Sequence, residues 1–400
     1  MITPAALFAS PNALAPHYSR FRVAERLLLT GHSHQAWPDV GFAAQQQAWL
    51  DAAKLVDDKW EKAFAMADRV RAGFARLLQV RGAEIALGAN THELVARFLS
   101  ALPLVKRPRL VTTDGEFHTV RRQLDRLSEE GIEVVRVPAR PASLVAERLA
   151  RMVTDRTAAV LVSAVLYENA HIVPDLEITL EACHRVGAEL LVDAYHALNV
   201  VPFSLVAERL EDAYVVGGGY KYCQLGEGNA FLRVPPDCIL RPVFTGWYSE
   251  FALLSSPPTT GPVPYGPGPE RFAGATYDPT SHYRAAAVFD FFEQHRLTPG
   301  LLREVSQHQV GLLAQEFDRL DLDRTVINRD RRSVSLDATG GFLALHAPRA
   351  REISQALHRR GVWTDYRFES LRLGPAPYLS DDQLRDAIGA LGEAAAATRP

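Results

Sequence analysis

Apolar residues recur at helical spacing between positions 41 and 80. Phe42, Trp49, Leu55, Trp60, Phe64, Val70, Phe74 and Leu77 are placed to pack along a long amphipathic helical region. After Gly82 the period changes. Short β-rich runs stand at 84–88, 109–113, 132–137, 157–165, 189–193 and 213–217, and helical stretches at 92–102, 118–130, 142–152 and 175–187 lie between most of them. Strands apolar on both faces, alternating with helices, predict an α/β fold with a mostly parallel sheet covered on both sides. Residues 255–269, SSPPTTGPVPYGPGP, hold six Pro and three Gly and predict a loop, either a lid or a passive surface segment. Helices are expected at about 281–296 and 299–320. The last 70 residues read strand 332–336, strand 341–346, helix 349–360, strand 371–373 and helix 380–397, a compact α+β unit.

Composition narrows the class. The chain has 400 residues, 23% charged and 47% hydrophobic, as ordinary soluble globular proteins do. A formal charge of −3 offers no footprint for nucleic acid or an anionic membrane. Charges interrupt the apolar stretches well short of the roughly 20 residues that a spanning helix needs. The first residues, MITPAALFASPNALAPHYSR, lack a basic region ahead of their apolar ones, so no signal peptide is expected. Three cysteines, Cys183, Cys223 and Cys238, make neither a disulfide framework nor a CxxC site, and a cytoplasmic setting is expected.

One count changes the picture. Lys and Arg total 44, yet only Lys54, Lys59, Lys62, Lys106 and Lys221 are lysines. The plain reading is an Arg-biased chain with a few surviving lysines. Lys221 nonetheless stands alone beyond residue 106. An amine can do what a guanidinium cannot: lose its proton, attack a carbonyl and form a Schiff base.

Three features fall at the ends of predicted strands, where ligands sit in open α/β sheets. In LLVDAYH, Asp193 ends an apolar strand and His196 follows three residues later. A carboxylate leaving a buried strand needs a cationic partner; the plainer alternative, a helix N-cap, carries less weight. In VVGGGYKYCQLGEG, three glycines precede Tyr220-Lys221-Tyr222. Glycines let the backbone approach a ligand closely, and the tyrosines can position the amine or relay a proton. The plainer alternative is a Gly-rich loop with a surface Lys, against which the scarcity of Lys weighs. In GANTHELV, Asn90 and Thr91 open a helix whose free N–H groups and Thr91 hydroxyl suit a phosphate, as many helix starts do. A Schiff-base Lys, an acid 28 residues earlier and a helix N-terminus are together the parts that bind pyridoxal 5′-phosphate (PLP). Asp193 would pair with the pyridinium nitrogen, and Phe117 in TTDGEFHT could stack on the ring.

These residues carry a resemblance. Over nearly its whole length the chain resembles the fold-type I PLP-dependent enzymes of the class V aminotransferase group, and within it most resembles the kynureninases. The most specific segment is Tyr220-Lys221-Tyr222 with the following Gly-rich stretch and Asn229-Ala230-Phe231. Others are Asp193-x-x-His196, Gly246-Trp247 and TDYRFESLRLGPAPY. The resemblance implies a large PLP-binding domain over 46–290 and a small C-terminal α+β domain over 291–400, with segment 1–45 packed on the latter. It implies that Lys221 holds PLP, that Asp193 binds its N1, and that Asn90, Thr91 and Tyr220 contact its phosphate. His196 would lie near the cofactor and Ser163 near its ring or phosphate. Trp247 and Thr276 would reach the partner's PLP across a homodimer interface. Arg372 would grip the α-carboxylate of a small-molecule amino-acid substrate with its planar fork. Ser33 and Trp60 would lie in segments that surround the substrate.

The chain departs from the kynureninase pattern near the substrate. Phe-Pro-Ser/Thr-Asp becomes Phe117-His118-Thr119-Val120, and Tyr-x-Thr-Gly becomes Tyr167-Glu168-Asn169-Ala170. Gly-Asn-Ser-Leu-Gly becomes Gly31-His32-Ser33-His34-Gln35. His32 and His34 have no further ligands clustered with them, so no metal is expected. The leading expectation is kynureninase-type hydrolysis of a 2-amino-4-oxo acid, with class V transamination as the alternative. Cysteine desulfuration ranks lower because no Cys follows Cys238. Retention of Lys221, Asp193 and Arg372 argues against a non-enzymatic PLP-fold protein.

Overall fold

The computed structural model describes residues 2–255, 261–329 and 335–398. Strands run over Leu27–Leu28 (β1), Ile85–Gly88 (β2), Arg109–Thr113 (β3), Glu133–Val137 (β4), Thr157–Ser163 (β5), Glu189–Asp193 (β6) and Tyr214–Gly218 (β7). Ala230–Arg233 (β8), Leu343–His346 (β9), Val362–Trp363 (β10), Asp365–Arg367 (β11) and Ser370–Leu373 (β12) follow. The main sheet has seven strands in the order β2-β8-β7-β6-β5-β3-β4. The run from β4 to β7 is parallel throughout, and β8 inserts antiparallel between β7 and β2. The α/β expectation of a mostly parallel sheet holds.

The centre of the sheet explains its sequence. Every residue of β5, TAAVLVS, is buried, because helices cover both faces and no position looks to water. The two faces feed separate cores, Val160 and Val162 on one side and Leu161 and Leu191 on the other. Strand β8 was hidden in the sequence by the Gly-rich tract before it. It is pinned by a buried ion pair: Arg233, 2% exposed, reaches Glu84 at 2.7 Å and the Ala213 carbonyl at 2.8 Å.

The helical region at 41–80 is two helices, Val40–Leu55 and Lys59–Leu78, broken at Val56, whose φ is +51°. The second buries Val70 and Phe74 as expected, and Leu78 rather than the expected Leu77. The first does not: Trp49 is 78% exposed and Phe42 40%, while Gly41, Ala48 and Asp51 face inward. Small residues let this helix lie close on helix Thr280–Gln294, and its large apolar side chains turn outward.

The C-terminal strands form an antiparallel sheet, β11-β12-β9, backed by helix Ala350–Arg359, on which helix Asp381–Ala397 packs in turn. The strand expected at 332–336 falls mostly outside the described residues; Leu336 begins a short 3₁₀ turn. The N-terminal segment joins this unit, as β1 pairs in parallel with β10 and the Gly31 N–H donates to the Gly374 carbonyl at 2.8 Å. Among the described residues no helix is long and apolar enough to cross a membrane.

Candidate active site

The carboxyl ends of β2, β3, β5, β6 and β7 open on one edge of the sheet, and the predicted residues collect there. Ser163 ends β5 and Asp193 ends β6, paired in register across the two strands. Lys221 follows β7 through Gly218 and Gly219. A Cβ on Gly218 would lie 2.5 Å from the Tyr195 hydroxyl, so that turn requires glycine. After β2 the helix Thr91–Ala101 begins, with the Asn90 side chain capping the Glu93 N–H at 3.0 Å. These elements enclose a cavity of about 250 Å³ lined by Asn90, Thr91, Phe117, Ser163, Asp193, Tyr195, His196, Tyr220, Lys221 and Asn229.

Lys221 is 6% exposed. Its Nζ lies 2.8 Å from His196 Nε2, and 5.4, 4.8 and 5.8 Å from the ring centres of Phe117, Tyr195 and Tyr220. Burial pushes its amine down to about 7, against the pull of the Asp193 carboxylate. Burial likewise keeps His196 neutral, well below the usual range. Asp193 is pushed up by burial and accepts the Tyr195 N–H at 2.9 Å. A neutral-leaning amine, a buried acid and a helix N-terminus fit a molecule with an aldehyde, a basic ring nitrogen and a phosphate. Tyr220 is held between rings, at 4.9 Å from both Tyr195 and His34.

Other predicted residues lie elsewhere. Thr276 lines a larger cavity of about 1200 Å³ that meets the first at Ala89, Glu227 and Gly228. Trp60 packs behind it against Phe64 and Tyr277, both at 5.6 Å. Trp247 is 43% exposed and packs on Tyr248. Ser33 sits in a turn, its N–H on the Thr30 carbonyl at 2.8 Å, outside the Lys221 cavity.

Arg372 calls for a correction. It was expected to present its whole planar fork to a substrate carboxylate, yet Asp365 holds the Nε/Nη2 edge, with Nε on Oδ1 at 2.8 Å and Nη2 on Oδ2 at 2.5 Å. Nη1 donates to the Tyr167 carbonyl at 2.6 Å. These bonds use three of the five donors of a guanidinium, leaving one on each Nη. His32 is also bound here, its Nε2 on Asp365 Oδ1 at 2.8 Å. Burial pushes His32 down to about 4, and it sits neutral beside the ion pair. Val120 needs correcting too. Expected near the substrate, it is 3% exposed and packs in the core with Leu94 and Leu124, where an acid would be unpaired.

Sequence reasoning missed Asp365 and Glu116. Asp365 faces Arg372 directly across the β11–β12 hairpin, and opposite charges at that spacing were the available signal. Glu116 is 3% exposed and pushed up to about 7 by burial, with the Ser163 and Thr113 hydrogen bonds opposing and Asp193 adding to it. Nothing in its local sequence marks it apart from its place just after a strand end.

No family profile matches the chain. An uncharacterised aminotransferase, YcbU, of Bacillus subtilis is 23% identical over 86% of this chain and 87% of its own length. Kynureninase of Burkholderia pseudomallei is 26% identical over 92% of this chain and 88% of its own. A variant of the cystine C–S lyase C-DES, with glycine covalently linked to its PLP cofactor, superposes with a TM-score of 0.82. It shares 16% identity and covers 94% of this chain and 98% of that one. The cysteine desulfurase CsdA of Escherichia coli gives 0.76 at 15% identity, with 98% of each chain covered. The chain is thus similar in sequence to kynureninases and an aminotransferase, and shares its fold with cysteine desulfurases.

Proposed function

We propose that this protein is a PLP-dependent enzyme acting on an L-α-amino acid, and that it hydrolyses the Cβ–Cγ bond of a 2-amino-4-oxo acid of the kynurenine type. The observation that carries the reading is the buried Lys221 amine beside His196, in one cavity with Asp193 and a helix N-terminus. The kynureninase relatives support it, aligning over 92% of this chain.

When bound, the cofactor supplies an electron sink for negative charge at the substrate's Cα. Lys221 anchors it and then moves the Cα proton, a task suited to an amine held near neutrality. Asp193 would keep the ring nitrogen protonated, and Asn90, Thr91 and the N–H groups of their helix would hold the phosphate. Phe117 would face the ring, and His196 stays neutral beside the amine. The remaining donors of Arg372 take the α-carboxylate. Water adds to the γ-carbonyl carbon, the Cβ–Cγ bond breaks, and Cβ takes a proton. The products are L-alanine and a carboxylic acid, aromatic where the substrate is kynurenine.

The active form is a homodimer in which Trp247 and Thr276 serve the partner's site. Large exposed apolar side chains support it, among them Val243 at 76%, Phe244 at 65% and Trp49 at 78%. Transamination is the second reading, favoured by the aminotransferase relative and needing the same Lys and Asp. Desulfuration is disfavoured, because burial pushes the Cys183 and Cys223 thiols up to about 12 and buries Cys238 as well.

L-Kynurenine tests the reading. Anthranilate with equimolar alanine is the expected result. Kynurenic acid, from cyclisation of the keto acid, would favour transamination. No product and no spectral change at millimolar substrate would overturn the hydrolase reading.

A further inference from the structure

Beside the candidate site, the chemistry proposed above leaves a buried acid unused. Glu116 lies between β3 and the helix His118–Glu129, one residue before Phe117. Three donors converge on its carboxylate. The Thr113 hydroxyl donates to Oε1 at 2.7 Å, and the Ser163 N–H donates to the same oxygen at 3.2 Å. The Ser163 hydroxyl donates to Oε2 at 2.6 Å. The Thr113 hydroxyl is itself oriented, since its oxygen accepts the Gly115 N–H at 3.1 Å.

A serine hydroxyl has one proton. With that proton committed to Glu116, Ser163 offers only lone pairs to the cavity it lines. We propose that Glu116 is a positioning residue that fixes the polarity of Ser163, holding its hydroxyl as a hydrogen-bond acceptor toward the cofactor cavity. The group that meets Ser163 would then be a donor, and the donor PLP carries is its protonated ring nitrogen, toward which Ser163 would accept beside Asp193, its neighbour in register. This inference rests on the proposed PLP function.

The bonding pattern dictates what an amide would do. The Ser163 N–H can only donate, so in Glu116→Gln the amide oxygen must stay at the Oε1 position. The amide NH₂ then faces the Ser163 oxygen and donates to it, and the Ser163 proton turns toward the cavity. Glu116→Gln thus inverts what Ser163 presents at nearly constant side-chain volume. A donor then opposes a donor in a buried site, which is worse than having no hydroxyl there.

The test is PLP affinity, measured by absorbance titration of the apo-proteins at pH 8, with thermal unfolding confirming that each is folded. Glu116→Gln should weaken PLP binding about 10- to 100-fold, and Ser163→Ala by less. The double variant Glu116→Gln/Ser163→Ala should recover to the level of Ser163→Ala alone, a rescue that a merely structural role would not give. Wild-type affinity in Glu116→Gln, or a double variant at least as weak as Glu116→Gln, overturns the proposal and leaves the PLP function standing. Failure of the wild type to bind PLP overturns both. Should Glu116→Gln not fold, Glu116→Asp replaces it: the shorter carboxylate no longer reaches the Ser163 hydroxyl, so PLP binding should weaken, and wild-type affinity overturns the proposal.

Discussion

Lys221 Nζ and His196 Nε2 lie 2.8 Å apart in a buried cavity. Two basic nitrogens that close cannot both be protonated without strong repulsion. Burial acts on each in the same direction, toward the neutral form. The pair therefore presents an amine with a usable lone pair at a pH where an ordinary lysine, with a pKa of about 10.4, is almost wholly charged.

This has a consequence for stability. In the unfolded chain Lys221 stays protonated up to about pH 10.4, whereas in the folded apo-protein it loses its proton above about 7. Between those values the unfolded state binds more protons, so the contribution of Lys221 to stability rises with pH. In urea unfolding from pH 7 to 10 the apo-protein should gain stability relative to Lys221→Met by up to about 1.4 kcal/mol per pH unit. A pH-independent difference would mean that the amine is charged in the fold.

Asp193→Asn should retain PLP but lose the charge that keeps the ring nitrogen protonated. Turnover should fall about a hundredfold or more, with a much smaller change in PLP affinity. Turnover within tenfold of wild type would assign that role to another group.

Asp365 holds the Nε/Nη2 edge of Arg372. Arg372→Ala should raise KM for the amino-acid substrate by about one to three orders of magnitude, with kcat less affected, and Arg372→Lys should recover only part of the loss. Asp365→Asn should also raise KM, because the guanidinium loses its orienting carboxylate. Steady-state kinetics of the three variants checks this, and an unchanged KM in Asp365→Asn would show that the clamp does not aim Arg372.

The Glu84–Arg233 pair tests the sheet edge. Glu84→Ala leaves a guanidinium that is 2% exposed without its carboxylate, and should destabilise the protein by about 3–5 kcal/mol in denaturant unfolding. A loss below 1 kcal/mol would mean that water or another acid reaches Arg233.

The sequence showed most of the main sheet and the cofactor side of the site, for a physical reason. Fully buried strands such as β5 are unbroken apolar runs, and Lys221 and Asp193 stand out at the ends of such runs. Strand β8 was not legible, because four residues behind a glycine tract carry no period. The outward face of helix Val40–Leu55 was misread, since spacing shows which residues share a face but not which face the core receives. Arg372 was read as an open fork because its partner Asp365 appears only once the hairpin closes. Val120 was read by its alignment with a polar position, yet its helix turns it into the core.

The most direct test is borohydride reduction of the PLP-loaded protein, followed by peptide mass spectrometry. The account predicts one pyridoxyl adduct, on the peptide that contains Lys221, and a visible absorption band that disappears on reduction. An adduct on Lys54, Lys59, Lys62 or Lys106 instead, or no adduct in a protein saturated with PLP, would contradict it.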